Sequence, residues 1–195
     1  TNKKIPKSEE YRINRDEIFS NEYLKKFRGI SDSAIVDENI CKYARAGLIH
    51  RDGTVKEDLY ILSSRTGEIL GKNIKDTLDY GVSPNKSVVE AVRNNPENLI
   101  GLHTHPDGTP PTGSDFEVSG LRGYNFGVVA CADGSVYTYK HSKQYVSKIY
   151  IDSTIEKYKK MIDSTGHKVY NSDIEAHLAA LKRVSEEYGI YYEKR

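Results

Sequence analysis

The segment Asn98-Leu99-Ile100-Gly101-Leu102-His103-Thr104-His105-Pro106 decides how this chain is read. Residues 98–102 form a short apolar run that predicts a strand, and side chains two apart on a strand project to the same face, so both imidazoles reach one point. Pro106 ends the strand. A loop through Gly108, Pro110 and Pro111 then turns the chain toward Thr112-Gly113-Ser114-Asp115, which reads as a helix start able to return a carboxylate. Two histidines and an aspartate leave a tetrahedral divalent ion one open position, the arrangement of a catalytic zinc site. Thr112-x-x-Asp115 is also the pattern of a helix capping box, which requires no chemistry.

The stretch resembles the signature of the JAMM/MPN+ (JAB) metalloproteases: an upstream Glu, then His-Ser/Thr-His-Pro, then Ser-x-x-Asp. His103, Thr104, His105, Pro106, Thr112 and Asp115 occupy those positions, with Thr112 where Ser is usual and a loop after His105 one residue shorter. A rival alignment takes Ser114 as the hydroxyl and Glu117 as the carboxylate, at the expense of a longer loop. The resemblance implies a zinc ion on His103, His105 and Asp115, a glutamate as general base and the Thr112 hydroxyl as oxyanion donor. It also implies hydrolysis of a peptide or isopeptide bond in a protein or peptide substrate. For the base Glu57 fits best, between a helix expected to end near Gly47 and the strand Leu59-Tyr60-Ile61-Leu62; Asp58 is shorter, and Glu68 and Glu90 read as surface residues. The prokaryotic JAB/RadC-like branch carries the same metal motif. Tyr11-Arg12-Ile13-Asn14-Arg15 and the pattern to Phe27 are similar to JAB-like domains of bacteriophage minor capsid or mobile-element proteins, which implies an alternative role as a non-catalytic binding or assembly module.

Composition narrows the classes. With 29 basic against 28 acidic residues the net charge is +1, so no general electrostatic drive toward nucleic acid or an anionic membrane exists, and a DNA-linked role is disfavoured. No apolar run is long enough to span a bilayer, and Thr1-Asn2-Lys3-Lys4 is not followed by the apolar core of a secretion signal. Cys41 and Cys131 lie far apart in apolar stretches, which predicts buried free thiols and favours a reducing, cytoplasmic setting. A zinc deaminase would need His-x-Glu followed by Pro-Cys-x-x-Cys, and the chain has neither. Fifteen tyrosines, many in the flanks, read as half-buried packing residues or as a surface for a protein partner.

Along the chain, residues 1–30 are too charged and irregular for a core of their own and predict an arm packed on a domain spanning 31–146. Within it, Val36, Ile40, Tyr43 and Ala44 are helically spaced until Gly47, and Leu59–Ser63 and Glu68–Leu70 read as paired strands. Ser83-Pro84 opens a helix that Asn95-Pro96 stops, and Phe126–Cys131 and Ser135–Tyr139 flank the hairpin signal Asp133-Gly134. Residues 147–195 carry two helical stripes, Ile151, Ile155, Tyr158, Ile162 and Ile174, Leu178, Leu181, Val184, that must dock on the core or on a partner. The order predicts an α/β fold with a mixed sheet sandwiched by helices. The resemblance adds a layering like that of cytidine deaminases.

Overall fold

The computed structural model describes residues 8–195, and the first seven residues of the expected arm lie outside it. After a 3-10 turn (Glu9–Tyr11) the described elements run α1 (Arg15–Ile18), α2 (Asn21–Lys25), α3 (Ala34–Arg51), β1 (Leu59–Ser63), β2 (Ile69–Asn73), α4 (Lys86–Asn94) and β3 (Leu99–His105). The second half continues with α5 (Gly113–Leu121), β4 (Tyr124–Cys131), β5 (Val136–Lys140), α6 (Lys148–Lys159), α7 (Asp173–Tyr188) and β6 (Tyr191–Lys194). Among the described residues the strands form one mixed sheet in the order β2-β1-β3-β4-β5-β6, as the α/β reading expects. β3 and β4 are parallel, joined through α5, and every other neighbouring pair is antiparallel.

Each strand sorts its side chains by parity, so the sheet has two chemically different faces. Tyr60, Leu62, Ile100, Leu102, Val128 and Ala130 point to one side, where α3 and the arm residues Ile13, Ile18, Tyr23 and Phe27 complete a core. On the other side Leu59, Ile61, Leu99 and Tyr124 meet Val88 and Ala91 of α4. Further along that side Val129, Cys131, Tyr137 and Tyr139 meet Phe116 of α5 and the stripes of α6 and α7. β3 is buried along its whole length, because helices cover both faces of the sheet centre. His103 and His105 share the second face with Leu99 and Gly101, at the end of β3 where α4 and α5 part.

Three sequence expectations change. The first long helix does not stop near Gly47 but continues to Arg51, with Gly47 buried inside it. The reason is a close approach: a Cβ on Gly47 would stand 2.8 Å from Cγ2 of Thr104 and 3.2 Å from Cε2 of Tyr60. Glycine here lets α3 settle against β3. The helix expected from Ser83 begins at Lys86 instead, because the Asn85 side chain accepts from the Val88 amide and acts as the cap. A final strand, β6, extends the sheet beside β5, and the Tyr191, Tyr192 pair gave no alternation long enough to announce it. Cys41 and Cys131 are buried free thiols, as read from the sequence. No helix among the described residues is long and apolar enough to cross a membrane.

Gly47→Ala should therefore destabilise the fold by about 1–3 kcal/mol, despite alanine's better helix propensity, because the methyl overpacks against a β-branched side chain. Urea denaturation checks this, and pairing it with Thr104→Ser, which removes Cγ2, should recover part of the loss.

Candidate metal centre

Glu57 reaches the histidines through backbone pairing. The Thr104 amide donates to the Asp58 carbonyl at 3.1 Å, and the Asp58 amide donates to Thr104 Oγ1 at 3.0 Å. These bonds carry the β1–β3 register one residue beyond the start of β1, so that Asp58 lies opposite Thr104 and Glu57 comes level with His105. Asp58 itself turns away from the site, fully buried, and binds Arg51 and His50 at the end of α3. Glu68 and Glu90 are exposed, as expected of surface residues.

The donor atoms converge. His103 Nε2 lies 3.0 Å from His105 Nε2 and 3.1 Å from Asp115 Oδ1, while His105 Nε2 lies 3.9 Å from Asp115 Oδ2. A tetrahedral ion with bonds of about 2.0–2.2 Å holds its donors roughly 3.3–3.6 Å apart. Both contacts of His103 Nε2 fall slightly inside that range, and the 3.9 Å approach to His105 is made by the other oxygen of Asp115. Glu57, His103 and His105 also bring one donor atom each within 4.8 Å of one another, and all three are buried. This group can hold a metal ion.

The tautomer of His105 fits the same role. Its Nδ1 donates to the Thr109 carbonyl at 2.7 Å, so the lone pair of the neutral ring resides on Nε2 and faces the other donors. The Thr109 carbonyl also receives Cys131 Sγ at 3.5 Å. Two further contacts pin the loop between β3 and α5: Tyr137 Oη donates to the Gly108 carbonyl at 3.3 Å and His177 Nε2 to the Pro111 carbonyl at 3.0 Å. His177 comes from α7, so the C-terminal helices help to shape the site. No local pattern could have disclosed it.

Thr112 caps α5 and holds the Asp115 carboxylate at once. Its amide and its hydroxyl both donate to Asp115 Oδ2, at 2.7 and 2.9 Å, which leaves Oδ1 toward His103. The capping and metal readings of Thr-x-x-Asp thus describe the same bonds. The expected oxyanion donor is committed to a carboxylate, which makes Thr112 a positioning residue in this arrangement. In the rival alignment Ser114 borders the same cavity and accepts from Lys148 Nζ at 2.9 Å, whereas Glu117 lines a different groove beside Leu121 and Tyr145.

A cavity of about 410 Å³ opens over these donors, walled by Leu78 to Pro84 on one side and by Thr112, Asp115, Val118 and Arg122 on the other. Burial pushes the Glu57 carboxyl up to about 7, with His105 drawing it back and Asp115 and Asp107 adding to the rise. Asp115 behaves oppositely. Burial opposes its ionisation, yet His103, His105 and the Thr112 amide hold it well below the usual carboxylate range. Two carboxylates on one site are thus driven apart in acidity.

Comparison of the chain with protein-family models, with curated proteins and with solved structures returned no significant match.

Two outcomes follow from this geometry. Thr112→Val should weaken metal binding by roughly tenfold while Thr112→Ser restores it, since the one bond lost, from the hydroxyl, orients the Asp115 carboxylate while the amide bond remains; competition with a chromogenic chelator measures this, and unchanged affinity in the valine variant would exclude the positioning role. For His177, burial lowers the imidazole from 6.5 to about 4, with the Pro111 carbonyl partly opposing. The unfolded chain then binds the proton more readily, so stability is complete above 6.5 and is lost as pH falls toward about 4. Denaturation midpoints of wild type and His177→Gln between pH 7 and 4.5 should converge on acidification, because the variant lacks this loss.

Proposed function

We propose that the protein is a zinc-dependent hydrolase that cleaves a peptide or isopeptide bond, with His103, His105 and Asp115 as ligands and Glu57 as the general base. The observation that carries this reading is the approach of His103 Nε2 to His105 Nε2 at 3.0 Å and to Asp115 Oδ1 at 3.1 Å, with the buried Glu57 carboxylate within 4.8 Å of donor atoms on both imidazoles. Asp115 is preferred to Glu57 as the third ligand because it lies nearer to His103 and remains ionised. Two nitrogens and one oxygen favour zinc over the hard, oxygen-seeking calcium and magnesium ions.

A zinc ion bound there would lower the pKa of a coordinated water toward neutrality and polarise a substrate carbonyl. Glu57 supplies the proton relay. A carboxyl poised near 7 accepts a proton from water and returns it to the leaving amine without a large penalty in either direction. His105, tied through Nδ1 to Thr109, keeps its ring fixed during both steps. Thr112 keeps Asp115 oriented, and Ser114, which also borders the cavity, is the hydroxyl left to meet an oxyanion.

Glu57→Gln should retain stoichiometric zinc and lose turnover by at least about a hundredfold, while Asp115→Asn should lose the metal itself. Metal analysis of protein purified without chelator, with turnover of a fluorogenic peptide panel on the same preparations, checks both. Wild-type protein that takes up no zinc would sink the hydrolase reading; zinc with turnover unchanged in Glu57→Gln would remove Glu57 from the mechanism.

A further inference from the structure

Among the side chains that border the cavity, Arg122 has no part in the chemistry above. It follows the last turn of α5, half-buried, and its Nη1 donates to the Tyr124 hydroxyl at 2.9 Å. Among the described residues no carboxylate lies within ion-pair distance of it, and its other guanidinium hydrogens meet no protein acceptor. A guanidinium is always charged, and one held in a concave wall with Leu59, Val118 and Tyr124 gives up hydration unless an anion replaces the water.

The tether is rigid. Tyr124 is buried, and its ring lies across β3 so tightly that a Cβ on Gly101 would stand 2.1 Å from Cε2. The phenol that fixes Arg122 therefore cannot swing away to follow it into solvent. Tyr139 also borders the cavity, its ring centroid 6.2 Å from that of His103. Of the acidic groups bordering the cavity, Asp115 is bound to Thr112 and the histidines, Glu57 sits among the metal donors, and Asp107 accepts from the Thr109 amide.

We propose that Arg122 binds a carboxylate of the substrate, so that the site takes peptides bearing a free carboxylate close to the scissile amide. The scissile amide rests on the hydrolase reading; the carboxylate site rests on Arg122, Tyr124 and the cavity alone. A planar guanidinium with one hydrogen bond already fixed presents its remaining donors in the fork that matches a carboxylate's two oxygens. The carboxylate has two sources, the C-terminal α-carboxylate of a short peptide or an acidic side chain next to the cleaved bond. The first would make the enzyme trim chain ends, the second would make it select acidic sequences.

Calorimetric titration of the full chain, with and without added zinc, separates these cases using acetyl-Ala-Ala with a free carboxylate, acetyl-Asp-Ala-amide, and acetyl-Ala-Ala-amide as the neutral control. The control sets the baseline. At least one carboxylate ligand should bind about tenfold or more tightly than the amide, and whichever does identifies the source. Arg122→Gln should abolish the difference and Arg122→Lys should keep part of it, with circular dichroism showing both variants folded. Equal binding of all three ligands, no binding up to roughly millimolar concentration, or discrimination that survives Arg122→Gln would each overturn the proposal. Zinc content is measured on the same samples. Discrimination without zinc uptake would keep the carboxylate site and end the hydrolase reading, whereas zinc uptake without discrimination would do the reverse.

Discussion

The backbone exchange between Asp58 and Thr104 is the constraint on which the site depends. It consists of two hydrogen bonds, one from the Thr104 amide to the Asp58 carbonyl and one from the Asp58 amide to the Thr104 hydroxyl, made just before β1 begins and while β3 still runs. Slip that register by one residue and the parity of the pleat places the carboxylate on the face packed by α3, away from both imidazoles. Everything around the exchange reinforces it. Arg51 and His50 bind the Asp58 side chain, and Gly47 lets α3 lie close enough to press Thr104 into place. The residue between the two histidines thus matters as much as the histidines do, though it faces the opposite side of the sheet.

A second layer of bonds acts on the loop that separates the metal strand from α5. Its carbonyls at Gly108, Thr109 and Pro111 each accept from a side chain borne by a different element: β5, β3 together with β4, and α7. A loop with Pro106, Pro110 and Pro111 has few backbone hydrogens to donate, so its carbonyls are the natural handles for fixing it. The rigidity that a coordination site needs is supplied from sequence positions far from the ligands.

How much of this was legible beforehand depended on distance along the chain. The apolar run into His103-Thr104-His105-Pro106 gave the central strand, and Thr112-x-x-Asp115 gave a helix start whose cap also orients the ligand, because both signals are local. Glu57 was placed by reasoning about neighbouring strands, and it joins the histidines because β1 and β3 pair as that reasoning required. The limits of α3 were misjudged at Gly47, where glycine answers a tertiary contact with Thr104 rather than a break in the helix. Arg122 and His177 carried no signal. Each gains its meaning from a partner set by the folded sheet, Tyr124 across a strand entry and Pro111 across 66 residues. β6 escaped notice since an edge strand of four residues has too little alternation to distinguish it from a polar tail.

Two tyrosines on the metal face lie over glycines of the strands beneath: Tyr124 over Gly101 and Tyr139 over Gly127, where in each case a Cβ would come within 2.1 Å of the ring. Neither position is free alone. A side chain at 101 or 127 is tolerated only if the ring opposite is reduced, and a smaller residue at 124 or 139 leaves a void beside the metal donors unless the glycine grows. The four positions therefore form two complementary volumes. Among chains descended from a common ancestor they are expected to covary in pairs, so a sequence that has exchanged one tyrosine for a small residue while keeping its glycine has lost part of the wall of the cavity over Glu57, His103 and His105.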